Sequence, residues 1–282
     1  MNGIVVINKP VGLTSQQVVT KVKKALNQSK VGHLGTLDPL ASGVLPICIG
    51  KATKLFDFYL KKTKTYVADF TFGQETDTLD SEGQVIKSID NIPTKQEILN
   101  NLPKLIGDLE QIPPKYSAKS VGGVRAYELS RKGIDFELKS KQISVYKFEL
   151  LSQKDSKTFE FLIDCSSGTY IRSLARDLGY LCNSCAYMSG LNRIRSGEFY
   201  IENSVNLDNL TTSDIIPLEK VLEDIKRVDA PTSMFEKLKN GNEITFKSDD
   251  INQCLLYCDN KLFGIAHIKN NKAKVDVNLF DN

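Results

Sequence analysis

Gly32-His33-Leu34-Gly35-Thr36-Leu37-Asp38-Pro39-Leu40-Ala41-Ser42-Gly43-Val44-Leu45-Pro46 sets one carboxylate, Asp38, among three glycines, two prolines and small residues, with apolar residues on either side. Glycine opens backbone conformations closed to other residues, and proline fixes φ, so this segment is built to hold one shape. A carboxylate in a shaped, partly apolar loop is costly to bury unless something pairs with it. Asp38 is therefore a candidate site residue, the ordinary alternative being a solvated loop acid.

Upstream of this loop, residues 3–8 (GIVVIN) read as a buried strand ended by Lys9-Pro10 and Gly12. Ser15 is expected to cap a helix whose Val18, Val19, Val22, Ala25 and Leu26 share one face, with Lys21, Lys23 and Lys24 mostly off it. Downstream, residues 45–49 read as a strand leading into a helix over about 52–60. Residues 64–72 (KTYVADFTF) alternate and are rich in β-formers, so a strand is expected, followed by a polar loop over 73–83 that contains Thr76-Asp77-Thr78. Thr94 and Glu97 form a candidate capping box for a helix to about Leu105. Pro113 and Pro114 break the pattern, and residues 121–123 read as a turn before a short helix over 126–132. Residues 143–151 and 158–165 read as an antiparallel pair, residues 166–168 as a turn into the helix of Leu174 and Leu178, and residues 188–201 as a further strand. Hairpins mixed with helices give an α+β class, with a mixed and largely antiparallel sheet, in place of repeated βαβ units.

A boundary is expected near residues 224–230, giving a domain over 1–224 and a small β-rich one over 225–282. The second contains a helix over 231–239 and strands over 253–258, 261–269 and 272–279, with hairpin turns at Asp259-Asn260 and Asn270-Asn271. About fifty residues make a marginal core, so this piece should lean on the rest.

The net charge of +3 hides an asymmetry. Residues 1–64 hold ten lysines and two aspartates (+8), whereas residues 65–282 hold 27 Lys and Arg against 32 Asp and Glu (−5). Positive charge thus gathers beside the Asp38 loop, where it can attract a polyanion, although a solvated Lys-rich helix is the simpler account. No apolar run reaches about 18 residues and the N-terminus lacks signal-peptide form, so neither a membrane span nor secretion is expected. Six cysteines then read as reduced thiols of the cytoplasm. Cys182 and Cys185 have metal-ligand spacing, but His33 and His267 are isolated, so buried free thiols are favoured over zinc and no metal is expected.

The loop resembles the signature of the pseudouridine synthases, and residues 32–54 (GHLGTLDPLASGVLPICIGKATK) resemble the bacterial TruB family of tRNA pseudouridine-55 synthases. Two further segments agree, Ile7-Asn8-Lys9-Pro10-Val11-Gly12 and residues 168–179 (GTYIRSLARDLG). The C-terminal piece is more weakly similar to the small PUA RNA-binding domain. The resemblance implies a pseudouridine synthase fold and isomerisation of the uridine at position 55 in the tRNA T-loop, without cofactor, by a stand-alone monomer. It implies Asp38 as the nucleophile and Arg172 as its paired cation, which would keep the carboxylate ionised in a water-poor pocket. It also implies Tyr66 stacked on a flipped-out uracil, with Tyr170 and Leu191 lining the pocket. In an extended segment Tyr170 and Arg172 would face one side. His33 is implied to enter the RNA stack, Lys9 to support the loop or touch a phosphate, and Asp77 to support. Two other readings compete: an RNA-binding or RNA-folding protein whose main role is not catalysis, and a guide-RNA-dependent relative. Binding alone would not need Asp38.

Overall fold

The computed structural model describes residues 1–60, 62–117, 119–121 and 123–281. Gly122, in the expected turn over 121–123, lies outside the described residues.

The chain opens with strand β1 (Gly3–Lys9) and helix α1 (Ser15–Ala25), followed by β2 (Val31–His33) and β3 (Ser42–Ile49). The cap of α1 is Thr14, one residue before the expected Ser15: Thr14 and Gln17 form a capping box, which frees the Ser15 side chain for another task. Val18, Val19, Val22 and Leu26 are buried as expected, but Ala25 is exposed. After β3 the expected helix divides into a 3-10 segment (Gly50–Leu55) and a short α2 (Phe56–Leu60).

Strand β4 (Lys64–Phe72) alternates buried and half-buried along its length, as its sequence pattern requires. The polar loop that follows begins with β5 (Gln74–Thr76), which pairs with β6 (Val85–Ser88) just beyond it as a small hairpin. Helix α3 (Lys95–Asn101) has the Thr94–Glu97 capping box. Strand β7 (Gly107–Gln111) was not legible, because five residues of mixed polarity show no alternation. Next come the two-residue β8 (Ser120–Val121) and β9 (Val124–Arg125), and α4 (Ala126–Arg131). The hairpin β10 (Lys141–Gln153) and β11 (Thr158–Cys165) leads into α5 (Ile171–Leu181), β12 (Ala186–Ser196) and β13 (Phe199–Tyr200).

With β14 (Ile216–Pro217) these strands, apart from the separate pairs β5–β6 and β8–β9, form one large sheet in the order β14-β1-β3-β12-β4-β11-β10-β7, with β2 beside β3 and β13 beside β12. Every named pairing in it is antiparallel except β12 with β3, which meet in parallel at Asn192–Ser42 and Arg193–Gly43. The loop of Asp38 therefore enters the sheet where the Tyr66 strand and the Arg193 strand meet.

After a short α6 (Leu218–Val221), the remainder forms β15 (Arg227–Asp229), α7 (Phe235–Lys239), β16 (Ile244–Thr245), β17 (Ile251–Cys258), β18 (Lys261–Lys269) and β19 (Lys272–Asn278). They make a five-stranded sheet in the order β15-β17-β18-β19-β16. Asp259, Asn260, Asn270 and Asn271 all have positive φ, the conformation that two-residue hairpins need at both central positions.

Strand β1 is apolar on both faces because both are covered. Val5 and Ile7 join Val18 and Val22 of α1 in the main core. Ile4 and Val6 instead belong to a second buried cluster that also takes in Leu255, Tyr257 and Ile265 of the C-terminal sheet. Full burial of such a side chain contributes about 1.5–3 kcal/mol, so this shared cluster ties the small sheet to the body, in keeping with its marginal size. Among the described residues no helix is long and apolar enough to cross a membrane.

Candidate active site

The Asp38 loop owes its shape to buried donors gripping its backbone. Arg193, 1% exposed, sends Nε to the Val44 carbonyl at 2.8 Å, Nη2 to Gly35 at 3.2 Å and Nη1 to Thr36 at 3.4 Å. The Ser15 hydroxyl, released from capping, donates to the Leu37 carbonyl at 3.0 Å and accepts from the Leu37 N–H at 2.8 Å. Gly12 N–H donates to the Pro39 carbonyl at 2.8 Å. Leu34, Leu37 and Ala41 anchor the loop in the core, while the Asp38 side chain keeps 36% of its exposure.

Lys9 belongs to the same clamp. It is 0% exposed, and its Nζ donates to the carbonyls of Leu13 at 2.6 Å, Pro10 at 2.9 Å and Pro39 at 3.3 Å. Burial pulls its pKa down to about 8, against the opposing charge of Asp38. This corrects the expected phosphate contact: a fully enclosed ammonium spent on three loop carbonyls cannot reach an RNA backbone, so Lys9 supports the loop and does not line the cleft.

Arg172 stands in the first turn of α5, its side chain 8% exposed. Its Nε lies 3.1 Å from Asp38 Oδ2, while Nη1 reaches Asp80 Oδ2 at 3.3 Å and the Thr78 carbonyl at 2.9 Å. Nη2 donates to the Tyr116 carbonyl at 3.1 Å. Asp80 is itself set by the Thr78 hydroxyl at 2.6 Å and the Glu82 N–H at 3.1 Å. The carboxylate expected to support, Asp77, instead accepts from the Gln84 N–H at 2.9 Å, inside its own loop.

Tyr170 is the residue before α5 and not part of an extended run through Arg172, because the helix begins at Ile171. Its N–H donates to Gln111 Oε1 at 2.8 Å and its carbonyl accepts from Gln111 Nε2 at 3.1 Å, so β7 fixes the helix entry. Tyr66, 8% exposed on β4, faces Arg193 across the strand pair. Burial pushes its phenol up to about 12, with Arg193 opposing, so it is protonated at neutral pH.

These elements enclose a cleft of about 610 Å³ lined by Asp38, Tyr66, Tyr170, Arg172, Leu191 and Arg193, with Lys64, Tyr116, Ser117, Tyr127 and Met188. Its volume suits one small ligand or one nucleotide. Two other depressions, of about 460 and 550 Å³, lie beside α5 and β10, away from Asp38, so chemistry and not size selects this one. Lys64 is buried in the wall, its pKa lowered to about 8 by burial and by Arg193. Cationic groups thus surround Asp38, a field that favours an anionic ligand. His33 lies outside the lining, on β2, its Nδ1 buried without a partner. Burial, with Arg193 nearby, lowers its pKa.

Sequence reasoning missed Asp80, Arg193 and Gln111. Asp80 follows Thr76-Asp77-Thr78 by two residues, but nothing in the sequence marks which of the two acids turns toward Arg172. Arg193 falls in the strand expected over residues 188–201, and only its burial and its bonds to the loop carbonyls mark it as a clamp. The six cysteines are buried free thiols, and among the described residues no cluster of His, Cys, Asp or Glu could hold a metal ion.

Residues 23–171 match the TruB family pseudouridylate synthase N-terminal domain. A protein of Ehrlichia ruminantium (strain Gardel) named tRNA pseudouridine synthase B is 39% identical over 289 residues, 97% of this chain and 98% of its own length. One of the same name from Borrelia garinii subsp. bavariensis is 43% identical, covering 85% of each chain. Among solved structures, a chain of the archaeal box H/ACA sRNP Nop10–Cbf5 complex shares the fold, with a TM-score of 0.72 at 23% identity over 99% of this chain and 86% of that one. The chain belongs to the TruB family of pseudouridylate synthases.

Proposed function

We propose that this protein isomerises a uridine of tRNA to pseudouridine, the target being position 55 in the T-loop. The observation that carries this reading is the 3.1 Å contact between Asp38 and Arg172 inside a cleft with Tyr66, Tyr170 and Leu191. A protein that only binds RNA has no use for a carboxylate held in that way, whereas an isomerase needs a nucleophile. The curated relatives named tRNA pseudouridine synthase B support the substrate class.

In the reaction, the C1′–N1 bond breaks, the uracil turns, and C1′ bonds to C5. The C5 proton leaves and N1 gains one, so the product is an isomer. No oxidation state changes and no group departs, so the protein's own side chains suffice without a cofactor. Asp38 acts as the nucleophile, at the sugar or at the ring. Arg172, 3.1 Å away, pairs with it and aims it. The base must first leave its stack; Tyr66 receives its face, Tyr170 and Leu191 close around it, and His33 fills the gap left in the RNA.

On this reading residues 1–224 form the catalytic domain and residues 225–282 a PUA-like RNA-binding one. The protein works as a monomer in the cytoplasm, where its six free thiols stay reduced.

The test is release of label from tRNA tritiated at uracil C5, using purified protein and no guide RNA or partner. Wild type releases it, including from an isolated T-arm hairpin. Asp38→Asn and Arg172→Leu release none, although Arg172→Leu retains part of its RNA binding. Label release by Asp38→Asn at the wild-type rate refutes the assignment.

A further inference from the structure

One residue lining the cleft has a buried side-chain oxygen without a partner among the described residues. Ser117 is 4% exposed, and its Oγ is buried without a hydrogen-bond partner. The other buried side-chain atoms in that condition among the described residues belong to His33, Asn192 and Asp69, and none of these lines the cleft. Asp69, moreover, is held by Lys154 in an ion pair. Among the described residues, Ser117 alone both has a buried side-chain atom without a partner and lines the cleft.

The rest of the residue is fully engaged. Its N–H donates to the Lys115 carbonyl at 3.1 Å and its carbonyl accepts from the Tyr127 N–H at 3.1 Å. The preceding residue, Tyr116, gives its carbonyl to Arg172 Nη2. The hydroxyl is therefore fixed, through one peptide unit, to the guanidinium that holds Asp38. A buried hydroxyl left unpaired is costly, and native proteins keep few of them without cause.

We propose that Ser117 Oγ hydrogen-bonds the O2–N3–O4 edge of the target uracil, as a base-orienting contact; this rests on the isomerase reading above. The chemistry of the ring selects that edge. In uracil, N3 lies opposite C6, and a half-turn about the line joining them exchanges N1 with C5 and O2 with O4. The edge presents acceptor, donor, acceptor before the turn and the same order after it. A hydroxyl both donates and accepts, so one at this edge keeps a partner in the substrate and product orientations. A charged group would fit only one kind of edge atom.

The test measures kcat/KM on a T-arm hairpin carrying uridine, 2-thiouridine, 4-thiouridine or 3-methyluridine at the target position. Each replacement alters one atom of the edge. Ser117→Ala is expected to lower kcat/KM on uridine roughly tenfold, the loss of one hydrogen bond. In addition, at least one analogue should carry a smaller penalty in Ser117→Ala than in wild type, because the contact it disturbs is already gone. Should Ser117→Ala not fold, Ser117→Cys, of similar size and a weak donor, takes its place. Wild-type kcat/KM in the variant, or identical penalties for all three analogues in both proteins, overturns the proposal; the second result means that the hydroxyl meets only water or the protein. Failure of wild type to convert uridine at all would instead overturn the isomerase reading.

Discussion

Asp80 Oδ2 lies 3.3 Å from Arg172 Nη1, with neither side chain more than 8% exposed. Arg172 is thus held between two carboxylates, of which Asp38 reaches the cleft and Asp80 does not line it. The Thr78 and Tyr116 carbonyls complete the socket. Asp80 therefore positions the arginine. Asp80→Asn keeps the shape but removes the charge, and a charge-assisted hydrogen bond is worth about 1.5–3 kcal/mol. Turnover is expected to fall roughly tenfold to hundredfold. Affinity for tRNA should barely change, which single-turnover rates and filter binding separate. An equal loss in rate and affinity would instead place Asp80 in RNA binding.

The enclosure of Lys9 gives a second prediction. A lysine on a phosphate contributes roughly 0.7–0.9 to the slope of log Kd against log salt. Lys9→Met should leave that slope unchanged, because the ammonium is spent on the Leu13, Pro10 and Pro39 carbonyls. It should lower stability by about 1–3 kcal/mol, since those carbonyls lose their donor inside the fold. Urea unfolding and a salt titration of binding check the two halves separately.

What the sequence could and could not convey follows from the range of the interactions involved. Strand β4 and the Thr94–Glu97 capping box are local patterns, fixed by alternation and by one side chain reaching three residues along, and both were legible. Asp38 was legible because glycine and proline record backbone shape locally. The socket of Arg172 is not local. It joins Thr78, Asp80, Tyr116 and Asp38, and no spacing rule links them. Ser15 shows the same limit at short range. As a helix-start serine it reads as a cap, but Thr14 takes that role, and only the folded loop reveals Leu37 as its partner.

Gly43 φ is +100°, and a Cβ there would sit 2.3 Å from both the Arg193 carbonyl and Asn192 Oδ1. This is the parallel crossing of β3 and β12, the place where the Arg193 clamp attaches to the loop. Gly43→Ala combines left-handed strain with overpacking against backbone, together about 2–4 kcal/mol. A lowered melting temperature and loss of turnover are expected together. Gly241→Ala serves as the comparison, because its φ is +76° but its Cβ would meet nothing within 4 Å. It carries the strain without the clash, so its loss of stability should be smaller and its turnover unaffected.

His33 makes the stability of the fold depend on pH in a predictable direction. Burial, reinforced by Arg193, holds its pKa below the ordinary 6.5. Its Nδ1 is buried without a partner, so a proton there would add an uncompensated charge. Well above pH 6.5 the imidazole is neutral in the folded and unfolded chains alike, and it contributes no pH dependence. As pH falls through that value the unfolded chain takes up the proton first, so stability declines, and the cost is complete once the folded pKa is passed. His33→Gln has nothing to titrate and should lack this component. The gap between wild-type and variant urea midpoints should therefore shift in favour of the variant between about pH 7.5 and about pH 5. A gap that stays constant over that interval would mean that the imidazole is solvated in the fold, which its enclosed Nδ1 on an otherwise half-buried residue argues against.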